Sequence, residues 1–181
     1  MPRIQPIDPT TATGVVAEHL ATAKKMFGGT PNLVTTAANA PSTLGAILGM
    51  FANVGKGTLG AKVGEQIAIA VAQSNSCGYC LSAHTVIGEM HGLDPAELAA
   101  AKRAGSMNPK TAAVLKLAVA INQSRGQVSD AVLADARKAG VTGAEIVEVV
   151  GHVALNVFTN YLNNVSGTAI DFPVVALDAA A

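Results

Sequence analysis

Residues 58–84 read TLGAKVGEQIAIAVAQSNSCGYCLSAH. Leu59, Val63, Ile67 and Val71 recur at the i, i+4 spacing of one helix face, over a segment of helical rather than strand length. Ser74-Asn75-Ser76 then supplies several N-cap candidates, which places Cys77 at or near the start of a second helix running to about His91 and closed by Gly92. Two helices joined by so short a turn can pack antiparallel. No strand pattern elsewhere in the chain competes, so the fold class is all-α.

Outward from this hairpin the punctuation is regular. Pro2, Pro6 and Pro9 keep residues 1–10 as an extended arm, after which Thr11 or Thr13 caps a helix through Val16, Leu20 and Ala23 to Phe27, ended by Gly28-Gly29. Pro31 and Pro41 frame a short apolar segment, and 42–54 reads as a helix stopped by Gly55-Lys56-Gly57. Asp94-Pro95-Ala96-Glu97 opens another helix with a cap, an N1 proline and an acidic first turn. Asn108-Pro109 opens the next, to about Ser124, followed by helices over 129–139 and 142–165. The tail, 166–181, is expected to be extended through Asp171-Phe172-Pro173. The whole chain, 1–181, reads as a single domain.

A weak echo runs at a spacing of about fifty residues, seen where Ile67–Ser74 is set beside Leu117–Ser124. Gly92-Leu93-Asp94-Pro95-Ala96-Glu97-Leu98 likewise resembles Gly140-Val141-Thr142-Gly143-Ala144-Glu145-Ile146. If the helical hairpin is duplicated, the second copy carries Gln127 and Asp130 where the first has Cys77 and Cys80, so only one copy is chemically equipped.

Composition narrows the function. Twelve basic and twelve acidic residues cancel, and there are only four Phe, two Tyr and no Trp. Neither the positive field nor the stacking surface for nucleic acid is present. The chain is 50% hydrophobic and 13% charged, which leaves little polar surface to cover a monomer and predicts a homo-oligomer: a dimer, trimer or hexamer. Residues 66–88 carry no formal charge, yet Gln73-Ser74-Asn75-Ser76 divides them, so neither half spans a membrane. The first residues lack the apolar core of a secretory signal, and a cytoplasmic location is expected.

The chemistry concentrates around Cys77-Gly78-Tyr79-Cys80, which holds both cysteines of the chain. At about 100° per residue, Cys80 lies about 60° and His84 about 20° around the helix from Cys77, so all three share a face. A thiolate at a helix start is favoured by free backbone N–H groups and the dipole. His84, four residues after Cys80, is placed to take its proton. Glu65, on the preceding helix, can reach back to orient the imidazole, as a third group does in catalytic triads; as a surface glutamate beside Lys62 it would do nothing.

Other readings of the pair fit less well. A structural zinc site would need Cys77, Cys80, His84 and His91, all on one helix and poorly placed to surround an ion. Covalent haem attachment requires a histidine directly after the second cysteine, where Leu81 stands. Inert core cysteines remain the bland alternative. His152, Asn156, Asn160 and Asn163 or Asn164 recur at helical spacing, either lining a pocket or subunit contact or forming a solvated helix face, the commoner case. Gly55-Lys56-Gly57 lacks the spacing of a phosphate loop.

Glu65, eleven intervening residues, Cys77-x-x-Cys80, three residues and His84, in an all-helical chain, resemble the AhpD-like alkylhydroperoxidases of the carboxymuconolactone decarboxylase family. The closing Asn160-Tyr161-Leu162-Asn163-Asn164 through Asp171-Phe172-Pro173 is similar to the end of the longer, peroxidase-related members. The resemblance implies an AhpD-like helical fold and a cofactor-free thiol peroxidase acting on organic hydroperoxides. It makes Cys80 the peroxidatic thiol, Cys77 the resolving thiol, and His84 and Glu65 the proton relay. It also implies a thiol or dihydrolipoyl-type protein as reductant. The family's well-studied pattern has a histidine immediately before the second cysteine, whereas this chain has Tyr79. Its decarboxylase branch works without the dithiol, so Cys77 and Cys80 argue against lactone decarboxylation. The competing role is a disulfide-exchange adaptor or redox sensor with little turnover.

Overall fold

The computed structural model describes residues 1–179. Its helices are α1 (Gly14–Phe27), α2 (Asn32–Ala37), α3 (Pro41–Val54), α4 (Gly60–Ser74), α5 (Gly78–Met90), α6 (Pro95–Lys102), α7 (Pro109–Ser124), α8 (Asp130–Lys138) and α9 (Gly143–Ser166). Among the described residues there is no strand, so the expected all-α class is the one found. No single described helix is long and apolar enough to cross a membrane.

α4 is the axis of the fold. From Gln66 to Ala72 every residue is buried, because α5, α6, α7 and α9 pack around it. A helix apolar on all sides finds its stability by such complete enclosure. α4–α5 and α7–α8 are two hairpins, laid together through α4 and α7. Ile67, Ile69, Val71, Leu81, Leu115, Leu117, Val149 and Val153 build the larger core, in which Cys77 and Cys80 also sit. A smaller core of Leu20, Val34, Leu44, Ile47 and Leu48 belongs to α1–α3, with Phe158 and Leu162 of α9 packed against it. The long α9 therefore serves both cores.

Several boundaries differ from expectation. The arm is non-helical as far as Thr13, since α1 begins only at Gly14, and Thr13 makes no side-chain cap bond. The segment between Pro31 and Pro41 forms α2. Ser166 ends α9, so the tail starts at Gly167, whose φ of 59° turns the chain away. The tail's final residues, 180–181, lie outside the described residues.

The turn between α4 and α5 departs most. Ser74, Asn75 and Ser76 do not cap α5; Cys77 does, its sulfur accepting the N–H of Cys80. The reason lies in how α4 ends. Asn75 closes it, Ser76 takes φ 52°, and the Cys77 N–H returns to the Ala72 carbonyl at 2.9 Å. This is a Schellman turn, in which the residue after the left-handed position satisfies an orphan carbonyl of the last turn. Cys77 thus closes one helix and opens the next.

Candidate active site

The α4–α5 turn brings the two sulfurs to 2.7 Å, with Cys77 S–H donating to Cys80. The Cys80 N–H bonds the Cys77 sulfur in return, at 3.3 Å. Both sulfurs are reduced in the structure and buried. On the same helix His84 turns Nδ1 to Glu65 Oε2 of α4, at 2.7 Å. The antiparallel packing of α4 on α5 makes this pair, so the glutamate is not a bystander beside Lys62.

The electrostatics separate the two thiols. The Cys77 S–H bond pulls the Cys80 thiol down from its ordinary value; burial opposes this, and His84, Asn163 and Asn160 help it, leaving Cys80 at about 7. Cys77 moves up, because its proton is held in the bond to Cys80 and its site is dry. Helix-start N–H groups favour a charge on either sulfur. Access decides between them, since Cys80 lines a cavity and Cys77 does not. Burial alone would keep His84 neutral, but the charge and hydrogen bond of Glu65, with Cys80, outweigh it and raise its pKa.

That cavity, about 70 Å³, lies where the two cores meet. Phe27, Leu33, Phe51, Ile87 and Phe172 line it together with Cys80, His84 and Thr159. Behind the Glu65–His84 pair is a second cavity of about 210 Å³, bordered by Glu65, His84, His91, His152 and Asn156. The imidazole thus borders both cavities, the second of which holds the ionisable side chains of Glu65, His91 and His152.

The residues His152, Asn156, Asn160 and Asn163 of α9 are not a solvated face. All four are buried, with only Asn164 of the series exposed. The Asn163 amide donates to Cys80 Sγ at 3.2 Å, and Asn160 lies against the same sulfur. His152 packs on Gly64, where an added Cβ would stand 3.0 Å from its ring, and burial lowers its pKa despite Glu148 and Glu65. Their helical spacing was the available signal; what the spacing faces depends on α4 and α5. Tyr79, between the cysteines, points its hydroxyl away from them, accepting the Leu33 N–H at 3.1 Å.

No group of three or more His, Cys, Asp or Glu side chains among the described residues is arranged to hold a metal ion. Cys77, Cys80, His84 and His91 do not converge: His84 is spent on Glu65, and His91 sits at the far end of α5.

Residues 41–107 and 98–169 each match the family model for the Carboxymuconolactone decarboxylase family. The two matches fall on the two halves of the suspected duplication. Among solved structures, the alkylhydroperoxidase AhpD core of a peroxidase-related protein from Ralstonia eutropha JMP134 is similar over 94% of this chain and 92% of its own, with TM-score 0.83 and 19% identity. A peroxidase-related protein from Silicibacter sp. TM1040 covers 91% and 90%, with TM-score 0.77 and 19% identity. The debrominase Bmp8, in its apo form, covers 93% and 91%, with TM-score 0.78 and 19% identity. At these identities the likeness is one of fold. No curated protein matches the chain.

Proposed function

The chain belongs to the carboxymuconolactone decarboxylase family, and within it we propose a thiol-dependent peroxidase that reduces organic hydroperoxides through a Cys77/Cys80 cycle. The observation that carries this reading is that Cys80 lines an apolar cavity, with a second thiol 2.7 Å away and a Glu65-bonded imidazole lining the same cavity.

The chemistry follows from those positions. The Cys80 thiolate attacks the terminal oxygen of the hydroperoxide; an S–O bond forms, the O–O bond breaks, and the departing alkoxide takes a proton from His84 to leave as the alcohol. Cys77 then attacks the Cys80 sulfenic acid. An S–S bond forms and water leaves, its oxygen from the peroxide and one proton from the Cys77 thiol. Glu65 holds the imidazole in place and stabilises its protonated form. A thiol or dihydrolipoyl-type protein returns the disulfide to the dithiol. The cycle draws on no bound cofactor.

Reduced protein is expected to lose two thiols per chain on addition of an organic hydroperoxide, and Cys80→Ser to abolish the reaction. Undiminished turnover by Cys80→Ser rules the reading out.

A second reading is favoured by the aromatic walls of the same cavity, Phe27, Phe51 and Phe172. One neighbour of this fold is a debrominase solved with 2,3,4-tribromopyrrole. Here the dithiol would supply two electrons to replace carbon–bromine by carbon–hydrogen, giving bromide, a proton and the disulfide. Bromide release from a brominated pyrrole, measured beside peroxide consumption, separates the two.

A further inference from the structure

The tail leaves α9 at Gly167 and runs back, extended, across the start of α5. It is fastened at intervals by side chains from four other elements. Asn32 donates its side-chain amide to the Ala169 carbonyl at 3.0 Å and its backbone N–H to Asp171 Oδ2 at 2.8 Å. Ile170 lies over Gly78, 3.8 Å from where a Cβ would stand. Phe172 meets the Tyr79 ring edge-on, with centroids 5.7 Å apart. The Val175 N–H donates to Ser82 Oγ at 3.0 Å. Lys102 bonds the Ala176 carbonyl at 2.9 Å and Asp178 Oδ1 at 2.6 Å, and Gln73 exchanges two bonds with the Asp178 backbone.

Tyr79, immediately before Cys80, supports this fastening through both its hydroxyl and its ring. The Tyr79 hydroxyl accepts the N–H of Leu33, the residue next to Asn32, which holds Ala169 and Asp171 of the tail. Burial keeps the phenol neutral against the pull of the Leu33 N–H, and Asp171 acts in the same direction as burial. Phe172, stacked on the same ring, forms one wall of the cavity that reaches Cys80. With the tail in place Cys77 is 0% and Cys80 2% exposed.

We propose that residues 168–178 form a size-selective gate over the dithiol, latched by Tyr79, with Phe172 as the residue that decides what reaches Cys80. This rests on the dithiol reading above, and it assigns Tyr79 to holding the tail rather than to handling protons. A small apolar hydroperoxide enters the cavity with the gate closed. Thiol–disulfide exchange requires the incoming sulfur to touch a protein sulfur in line. The surface dithiol of a folded exchange protein meets that requirement only once the tail has lifted, whereas a slender thiol does not need it to.

The test labels the reduced protein with N-ethylmaleimide and, separately, with a polyethylene-glycol maleimide, in the wild type, Tyr79→Phe and Phe172→Ala. The wild type is expected to react readily with the small reagent and slowly with the bulky one. Tyr79→Phe removes only the hydroxyl; it is expected to speed bulky labelling about tenfold and leave N-ethylmaleimide within about twofold, tenfold being the factor ~1.4 kcal/mol of gate opening commands. Phe172→Ala is expected to speed bulky labelling at least as much, and unchanged helical circular dichroism excludes unfolding. Equal rates for both reagents in the wild type, or bulky labelling unmoved in both variants, overturns the gate. Labelling needs no peroxide. A protein inert to hydroperoxides yet showing this pattern keeps the gate and loses the peroxidase; a peroxidase with equal labelling does the reverse.

Discussion

Asn163 donates to the sulfur of Cys80 from within α9, 83 residues away in sequence. A hydrogen bond to a charged group in a dry site contributes about 1.5–3 kcal/mol, and one pKa unit corresponds to about 1.4 kcal/mol. Asn163→Ala is therefore expected to raise the Cys80 pKa from about 7 by about one unit, read as the midpoint of iodoacetamide labelling against pH. The sign is set by the thiolate being the reactive form: labelling slows as pH falls through the midpoint, so at neutral pH the variant reacts more slowly. Glu65→Gln removes the charge that outweighs burial at His84, and its ring is expected to titrate at lower pH by NMR. Unchanged titration would separate the two side chains despite their 2.7 Å contact. Cys77, Cys80 and His84 were legible because helical spacing fixes their shared face, and Glu65 through the family resemblance. The asparagines were legible as a row, but not as the row facing Cys80.

The elements around the dithiol carry their own tests. Ser76 adopts a left-handed backbone, φ 52°, that glycine accepts without a Cβ clash. Ser76→Gly is expected to stabilise the fold by about 0.5–1 kcal/mol in urea titration with no change in thiol reactivity, since only the Schellman turn is relieved. At its other end α4 is fastened by Glu148 of α9. That carboxylate accepts from the Thr58 N–H and hydroxyl, each at 2.9 Å, and from the Leu59 N–H at 3.0 Å. Glu148→Ala hands these largely exposed donors to water and is expected to cost about 0.5–1.5 kcal/mol. Burial works against the Glu148 charge, but those N–H groups outweigh it and lower its pKa. Its contribution is therefore present above the ordinary carboxylate range of about 4 and lost as pH falls through it, so wild type and variant converge in acid. Helix lengths and the caps Asp94, Asn108 and Thr142 were readable in sequence. The α5 cap was not, because Cys77 is recruited by the way α4 terminates.

At the scale of the molecule, α1–α3 close a second core over one side of α9 and supply Phe27, Leu33, Val34 and Phe51 to the chamber above Cys80. The outer face of α9 leaves Val147, Val150, Tyr161 and Val165 exposed. A homo-oligomer of this chain is expected to cover that stripe, and Val150→Glu with Val165→Glu to reduce the sedimenting mass; an assembly that survives both must use another face. The sequence by itself determined the all-α class, nearly every helix, and the shared face of Cys77, Cys80 and His84, because capping, helical period and short turns act over a few residues; the residue pattern left Glu65 open, and only the family resemblance singled it out. Only the tertiary structure decided which thiol meets a cavity, that Asn163 and Asn160 back it, and that Tyr79 turns to the tail. Those contacts join segments tens of residues apart, whose meeting is set by how two cores pack around α4 and α9 and not by any local preference of the chain.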